Sequence, residues 1–170
     1  FASSPKLEDL IDARAGMQTN DNNRFLRQWF EVNADNIKWD ASNSTQFTES
    51  GKKWVPYNKG GEFRKWFGNY DFVVNWEHNG DEILELASKK YGSASWTVKN
   101  TSYYFKQALT WSDVTSGRFS LRWRDQGSIF DVVGMQAFPI NDNQEAIEEM
   151  LRVLLLMNSK VGNYILKILN

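Results

Sequence analysis

Between Lys52 and Trp66 the chain reads Lys-Lys-Trp-Val-Pro-Tyr-Asn-Lys-Gly-Gly-Glu-Phe-Arg-Lys-Trp, with five basic residues against one acid and aromatics between them. That mixture suits contact with a polyanion. The glycine pair after Lys59 allows close backbone approach, and free N–H groups at Gly60 and Gly61 can meet phosphate oxygens. Arg64 and Lys65, on the next element, can reach phosphates or base edges. The same composition fits a solvated hairpin whose lysines point to water, and the residues alone leave both readings open. A second basic cluster comprises Arg118, Arg122 and Arg124, with Lys99 and Lys106 near in sequence. Arg122 and Arg124 are spaced to share one face of a strand, with Trp123 turned the other way, toward a core. They either contact a nucleic acid or pair with acids such as Asp113 and Asp125. The polar run Gln18-Thr19-Asn20-Asp21-Asn22-Asn23-Arg24 offers many donors and acceptors. It fits hydrogen bonding to bases or phosphates and equally an ordinary surface turn.

Catalytic constellations are missing from this reading. A histidine-based pair of nucleophile and base has only His78 to draw on, and His78 adjoins Asn79-Gly80, which marks a turn. No Walker-type phosphate loop or Rossmann glycine run occurs. The three prolines, Pro5, Pro56 and Pro139, are isolated, so the polar-Pro-Pro-aromatic run that holds a flipped adenine in N6-adenine methyltransferases is absent. With no cysteine, disulfides, thiolate nucleophiles and Cys-ligated zinc are excluded. No metal site is expected.

The 170 residues suit one domain, and 41% apolar and 15% aromatic content, with eight Trp, supplies an ordinary packed core. The formal charge of −1, from 20 basic and 21 acidic residues, argues against a free-standing nucleic-acid binder, so such a role must rest on local clustering. No apolar run approaches the roughly 18–20 residues of a membrane span. No basic-then-apolar signal opens the chain, and a cytoplasmic location is expected. The chain begins at Phe1 and ends on an apolar pattern, which reads as a piece of something longer.

The elements that must position these residues follow from periodicity. Ser3 or Ser4 before Pro5, with Leu7, Leu10 and Ile11 recurring up to Gly16, predicts an N-terminal helix. Residues 19–23 predict a loop, Arg24–Val32 a strand and 40–51 a surface loop. A turn is expected at Asn58–Gly61, a strand at Phe72–Trp76 and a helix over Asp81–Lys90, acids early and lysines late. Strands are expected at Tyr103–Phe105, Leu109–Trp111, Phe119–Trp123 and Ile129–Val133, with turns at Ser116-Gly117 and Gln126-Gly127. Asn143–Met157 and about Val161–Leu169 read as helices. The fold class is mixed α/β (α+β), a twisted, mainly antiparallel sheet with flanking helices, divided as a core over 1–142 and a C-terminal helical segment over 143–170.

An ordered series of blocks carries a resemblance. The blocks are Gln18-Thr19-x-Asp21-Asn22-x-Arg24-Phe25-Leu26-Arg27 with Trp29 and Glu31-Val32, then Trp54-x-Pro56-Tyr57-x-Lys59-Gly60-Gly61-Glu62-Phe63-Arg64-Lys65-Trp66, then Val73-Val74-Asn75-Trp76. Tyr104-Phe105-Lys106, Thr110-Trp111-Ser112, Ser116-Gly117, Phe119-Ser120, Phe130-Asp131, Gly134 and Leu155-x-x-Asn158-Ser159-Lys160-Val161 with Tyr164 follow in order. The series resembles the region downstream of the catalytic domain in BREX phage-exclusion methyltransferases of the PglX type and in related restriction–modification enzymes. The resemblance implies a target-recognition domain that reads double-stranded DNA. An upstream methyltransferase domain of the same polypeptide would bind S-adenosylmethionine and methylate adenine N6; no cofactor is expected in this chain. The family usually has glycine where this chain has Asn20, and asparagine tolerates left-handed backbone better than most residues.

Together these readings make Thr19, Asn22, Arg24, Lys59, Gly60, Gly61, Arg64, Lys65, Lys106, Arg118 and Arg122 the candidate DNA contacts. Two other classes compete. Abundant Trp and Tyr fit a carbohydrate-binding module, and the apolar stretch over 150–169 fits a protein-interaction domain.

Overall fold

A computed structural model describes residues 6–113, 118–141 and 143–169. Its first sheet combines strands β1 (Ile11–Arg14), β5 (Ala108–Thr110), β6 (Arg122–Arg124) and β8 (Gln136–Pro139) in the order β1-β8-β5-β6, all antiparallel. The second combines β2 (Leu26–Gln28), β3 (Trp54–Asn58), β4 (Phe72–Asn75) and β7 (Ile129–Phe130) in the order β2-β4-β3-β7, antiparallel except for β3 beside β7. The helices are α1 (Asn22–Phe25), α2 (Ser44–Glu49), α3 (Glu77–Tyr91), α4 (Gln144–Asn158) and α5 (Lys160–Leu169). The mixed α+β class expected from the sequence is the class observed. No described helix is long and apolar enough to cross a membrane.

Strand alternation divides the interior in two. Leu109 and Ala137, on one face of the first sheet, pack with Leu121 and with Met150, Val153 and Leu154 of α4. Ala108 and Phe138, on the opposite face, join Val55, Tyr57, Val74, Ile129 and Phe130 of the second sheet in the larger core. Phe130 sits at its centre, against the rings of Tyr104 at 5.6 Å and Phe138 at 5.6 Å.

Several elements differ from the sequence expectation, each for a tertiary reason. The N-terminal helix is a single 3₁₀ turn, Leu7–Asp9, because Ile11–Arg14 is drawn into pairing with Pro139–Gln136; Ser3, Ser4 and Pro5 lie outside the described residues. The strand expected over Arg24–Val32 shortens to Leu26–Gln28, between α1 and a 3₁₀ turn at Trp29–Glu31. Asp21 caps α1, its carboxylate accepting from the Arg24 N–H at 3.0 Å. The supposed loop 40–51 contains α2, capped by Asn43 and anchored by one buried ring, Phe47, stacked on Phe105. A single anchor leaves no period to read. Thr101–Tyr103 is a 3₁₀ turn, where a strand was expected over Tyr103–Phe105, and Phe105 itself adopts φ +68°. The strand expected over Phe119–Trp123 shortens and shifts to β6, Arg122–Arg124, that expected over Ile129–Val133 contracts to β7, and β8 was not anticipated. The turn expected at Ser116-Gly117 lies outside the described residues.

His78 takes a left-handed conformation together with Asn79 and Gly80 (φ +52°, +61° and +82°), so regular helical geometry in α3 follows only from Asp81. A Cβ on Gly80 would lie 2.5 Å from the Trp76 ring, which is why glycine occupies this position.

Three close junctions hold the architecture. Asn158, buried at the end of α4, uses its side chain as a strand would use its backbone: Oδ1 accepts from Leu121 N at 3.0 Å and Nδ2 donates to Leu121 O at 2.7 Å. Trp66 bridges the outer side of β6, its amide donating to Leu121 O at 3.1 Å and its carbonyl accepting from Trp123 N at 2.8 Å. At Gly134 a Cβ would stand 2.3 Å from the Asn58 carbonyl oxygen and 2.6 Å from the Gly60 nitrogen. Asn158→Ala is therefore expected to strand the buried Leu121 N–H, while the Leu121 carbonyl keeps the Trp66 amide, and to cost about 2 kcal/mol, a fall of roughly 6 °C in thermal melting for a chain of this size. Gly134→Ala is expected to push the 58–60 turn outward and cost about 2 kcal/mol, read as a lower urea midpoint.

Candidate functional site

The polar loop 18–22 and the Lys59 turn, separated by some forty residues in sequence, meet across one cleft. Gln18, Thr19, Asn20, Asp21 and Asn22 form one wall, and Lys59, Asp131, Val132 and Val133 the other, around about 310 Å³. Backbone pairing sets the walls at this distance. Met17 bridges to Asp131, with Met17 N donating to Phe130 O at 2.9 Å and Val132 N to Met17 O at 3.2 Å. Gln18 N in turn donates to Thr97 O at 2.8 Å.

Within the loop the side chains hold one another. The Thr19 hydroxyl, buried, donates to Asn22 Oδ1 at 2.6 Å. Asn20 sits at φ +64°, the left-handed region that the expected glycine would occupy freely, and its Nδ2 donates to Thr97 Oγ1 at 3.0 Å. The other wall is organised by Asp131, which is nearly inaccessible to solvent. Its Oδ2 accepts from Lys59 Nζ at 3.1 Å and from the Tyr57 hydroxyl at 2.9 Å, while Oδ1 accepts from Val133 N at 3.0 Å. Burial, and then the neighbouring Asp131 charge, push the Tyr57 phenol well above its ordinary pKa, so it stays a donor.

The remaining basic candidates separate into distinct environments. Arg24 is exposed, paired with Glu82, and lies over the Phe25 ring at 4.9 Å. Lys65 donates to the Asn158 carbonyl at the end of α4, where a cation meets the negative end of the helix. Lys106 is exposed above the Tyr103 ring at 5.4 Å, beside Arg14 on the same ring at 5.2 Å, and lines no part of the cleft. Arg64 and Arg118 are exposed. Gly60 is buried, its N–H turned toward Asn58 Oδ1 at 3.4 Å, whereas Gly61 is exposed with φ +122° and its carbonyl accepts from Ser112 Oγ at 2.8 Å.

Arg122 departs most from expectation. It is 0% exposed, as is Arg124, so the face of β6 expected to point outward is turned between the sheets. Arg122 donates to Ser112 Oγ at 3.3 Å, Arg64 O at 3.4 Å and Ser120 Oγ at 3.5 Å; Arg124 donates to Ser128 Oγ at 3.1 Å and Asn69 O at 3.2 Å. Arg124 also stacks 3.8 Å from the centre of the Tyr70 ring, and burial lowers its pKa to about 10, which leaves it charged at pH 7. Their partners are hydroxyls, carbonyls and a ring, not Asp113 or Asp125. Trp123 does face the other way, packed against the α4 side of the first sheet, with its indole N–H on Asp125 Oδ1 at 3.0 Å.

Sequence reasoning missed the role of Asp131. It lies 72 residues from Lys59 and carries no local pattern; only its place in the Phe130-Asp131 block drew notice. A groove of about 700 Å³ is mainly apolar, with Leu7, Ile11, Trp111, Phe119, Ile140 and Met157 on its walls, and no candidate DNA contact lines it.

No family model matches the chain. It is similar to the adenine-specific methyltransferase PglX of Lacticaseibacillus casei (strain Zhang), 38% identical over 168 residues, which are 99% of this chain and 13% of that protein. It is 35% identical over 150 residues to the adenine-specific methyltransferase BrxX of Escherichia coli O9:H4 (strain HS), covering 88% of this chain and 11% of that protein. The chain therefore spans little more than a tenth of these relatives. Nearly end to end, it is homologous to one segment of adenine-specific methyltransferases.

Proposed function

We propose that this chain is a sequence-specific module for recognising double-stranded DNA, serving a bacterial N6-adenine DNA methyltransferase in phage defence or restriction–modification. Under this reading the chain itself is no enzyme. S-adenosylmethionine and methyl transfer belong to an upstream domain of the same cytoplasmic polypeptide, which receives the adenine flipped from the duplex. The observation that carries the reading is the similarity, along 99% of the chain, to a segment of an adenine-specific methyltransferase.

The geometry supports a division of labour within such a module. Arg64 and Arg118 are exposed and suit phosphate contacts that set register. The cleft between the 18–22 loop and Lys59 suits recognition of another kind, since its walls carry amides and a hydroxyl. Arg122, in the interior, supports the Arg64 backbone from beneath and is not proposed as a surface contact.

The test is titration of the 170-residue chain with duplex DNA at several salt concentrations. Binding is expected to weaken with salt, the logarithmic slope being about −0.9 per phosphate neutralised. Arg64→Ala/Arg118→Ala is expected to make that slope shallower by about 1.8 with an unchanged melting temperature. Failure to bind duplex DNA even at low salt, with the double variant indistinguishable from the parent, would remove the proposal.

A further inference from the structure

The cleft between the 18–22 loop and the 131–133 wall has a charge balance unsuited to phosphate. Two carboxylates, Asp21 and Asp131, face it with one ammonium, Lys59. That ammonium is already neutralised, since Lys59 Nζ lies 3.1 Å from Asp131 Oδ2 and only about a quarter of its side chain meets solvent (28%). Arg24, just beyond, is committed to Glu82. A phosphate entering here would meet net negative charge and would have to displace a carboxylate that also anchors Tyr57 and the Val133 amide.

Uncharged hydrogen bonding is the capacity that remains. Thr19 donates to Asn22 Oδ1 and thereby fixes the orientation of the Asn22 amide, so its exposed Nδ2 is a positioned donor with no partner among the described residues. Asn22 Oδ1 keeps a second lone pair, so the amide presents a donor and an acceptor side by side. Such a pair matches the N7 acceptor and N6 amino donor of adenine in the major groove. Gln18, exposed beside it, offers a second amide, and the 310 Å³ of the cleft admits the edge of a base.

Resting on the DNA-reading role proposed above, we infer that this cleft receives the uncharged edge of an adenine through Asn22, and that Asp131 excludes phosphate from it by neutralising Lys59. Asn22 is a specificity-determining residue; Asp131 acts through Lys59 and is a positioning residue.

The experiment is selection from a pool of random-sequence duplexes by the 170-residue chain and by its variants, with salt titration of the winning duplex. The parent is expected to enrich a site containing an adenine for which Asn22→Ala loses roughly tenfold in discrimination, at unchanged salt slope. Asn22→Asp, which keeps the shape but removes the donor, is expected to shift preference at that base from adenine toward cytosine, whose amino group a carboxylate accepts. Asp131→Asn releases the Lys59 charge and is expected to steepen the salt slope by about 0.9 while flattening sequence preference. Unaltered preferences in both Asn22 variants overturn the inference. So does a slope made shallower by about 0.9 in Asn22→Ala, the mark of a lost phosphate contact. A parent that enriches a defined sequence which neither Asn22 variant alters overturns this inference alone, whereas absence of duplex binding, or binding with no sequence preference, overturns the DNA-reading role with it.

Discussion

A carboxylate withdrawn from water must be met by donors, and the way Asp131 is met ties three distant parts of the chain together. Its side chain collects Tyr57, Lys59 and the Val133 amide, while its own amide donates to Asn58 O at 2.9 Å and its backbone bridges to Met17. The segments around residues 17, 58 and 131 are thus joined at one point. From that point the 18–22 loop springs on one side and the glycine turn on the other. Loss of Lys59 would leave the Asp131 carboxylate buried without its counter-charge, so the Lys59 turn and the 131–133 wall hold their places together.

The buried arginines impose a second constraint. In register across the first sheet, Arg14, Gln136, Thr110 and Arg122 form one row, and Thr110 accepts from Asn58 Nδ2 at 2.6 Å, linking this row to the second sheet. Two guanidinium groups lie in a space where apolar side chains would ordinarily meet. Their charge is met in part by carbonyls, hydroxyls and the Tyr70 ring, while Arg122 Nε and Arg124 Nη2 have no hydrogen-bond partner among the described residues.

This arrangement marks the limit of what the sequence disclosed. Alternation in Arg122-Trp123-Arg124 correctly assigned the arginines to one face and the indole to the other, yet period two says nothing about which face another sheet will cover. Long amphipathic segments were legible: α4, α5 and the regular part of α3 follow their apolar stripes. Short strands with non-local partners were not, as β8 and the replacement of the N-terminal helix by β1 demonstrate. For the cleft, the 18–22 loop and Lys59 were each recognisable by composition, and Asn20 was expected to tolerate the left-handed turn that it adopts. Their meeting, and the neutralisation of Lys59 by a residue 72 positions away, depends on topology that no local pattern encodes.

The bridge that Trp66 makes along β6 bears on how the molecule avoids its own kind. Open strand margins invite a neighbouring molecule to add on through backbone hydrogen bonds, the route to aggregation. Trp66 occupies that margin of β6, and Met17 occupies it on β7. At β2, Arg27 turns back onto the carbonyls of Asn23 and Leu26, and β1 displays the ion-paired Asp12 and Arg14 over only four residues. Among the described residues each margin thus carries a feature that disfavours strand addition, while the exposed Leu155, Tyr164 and Ile168 of the C-terminal helices offer side chains to another polypeptide.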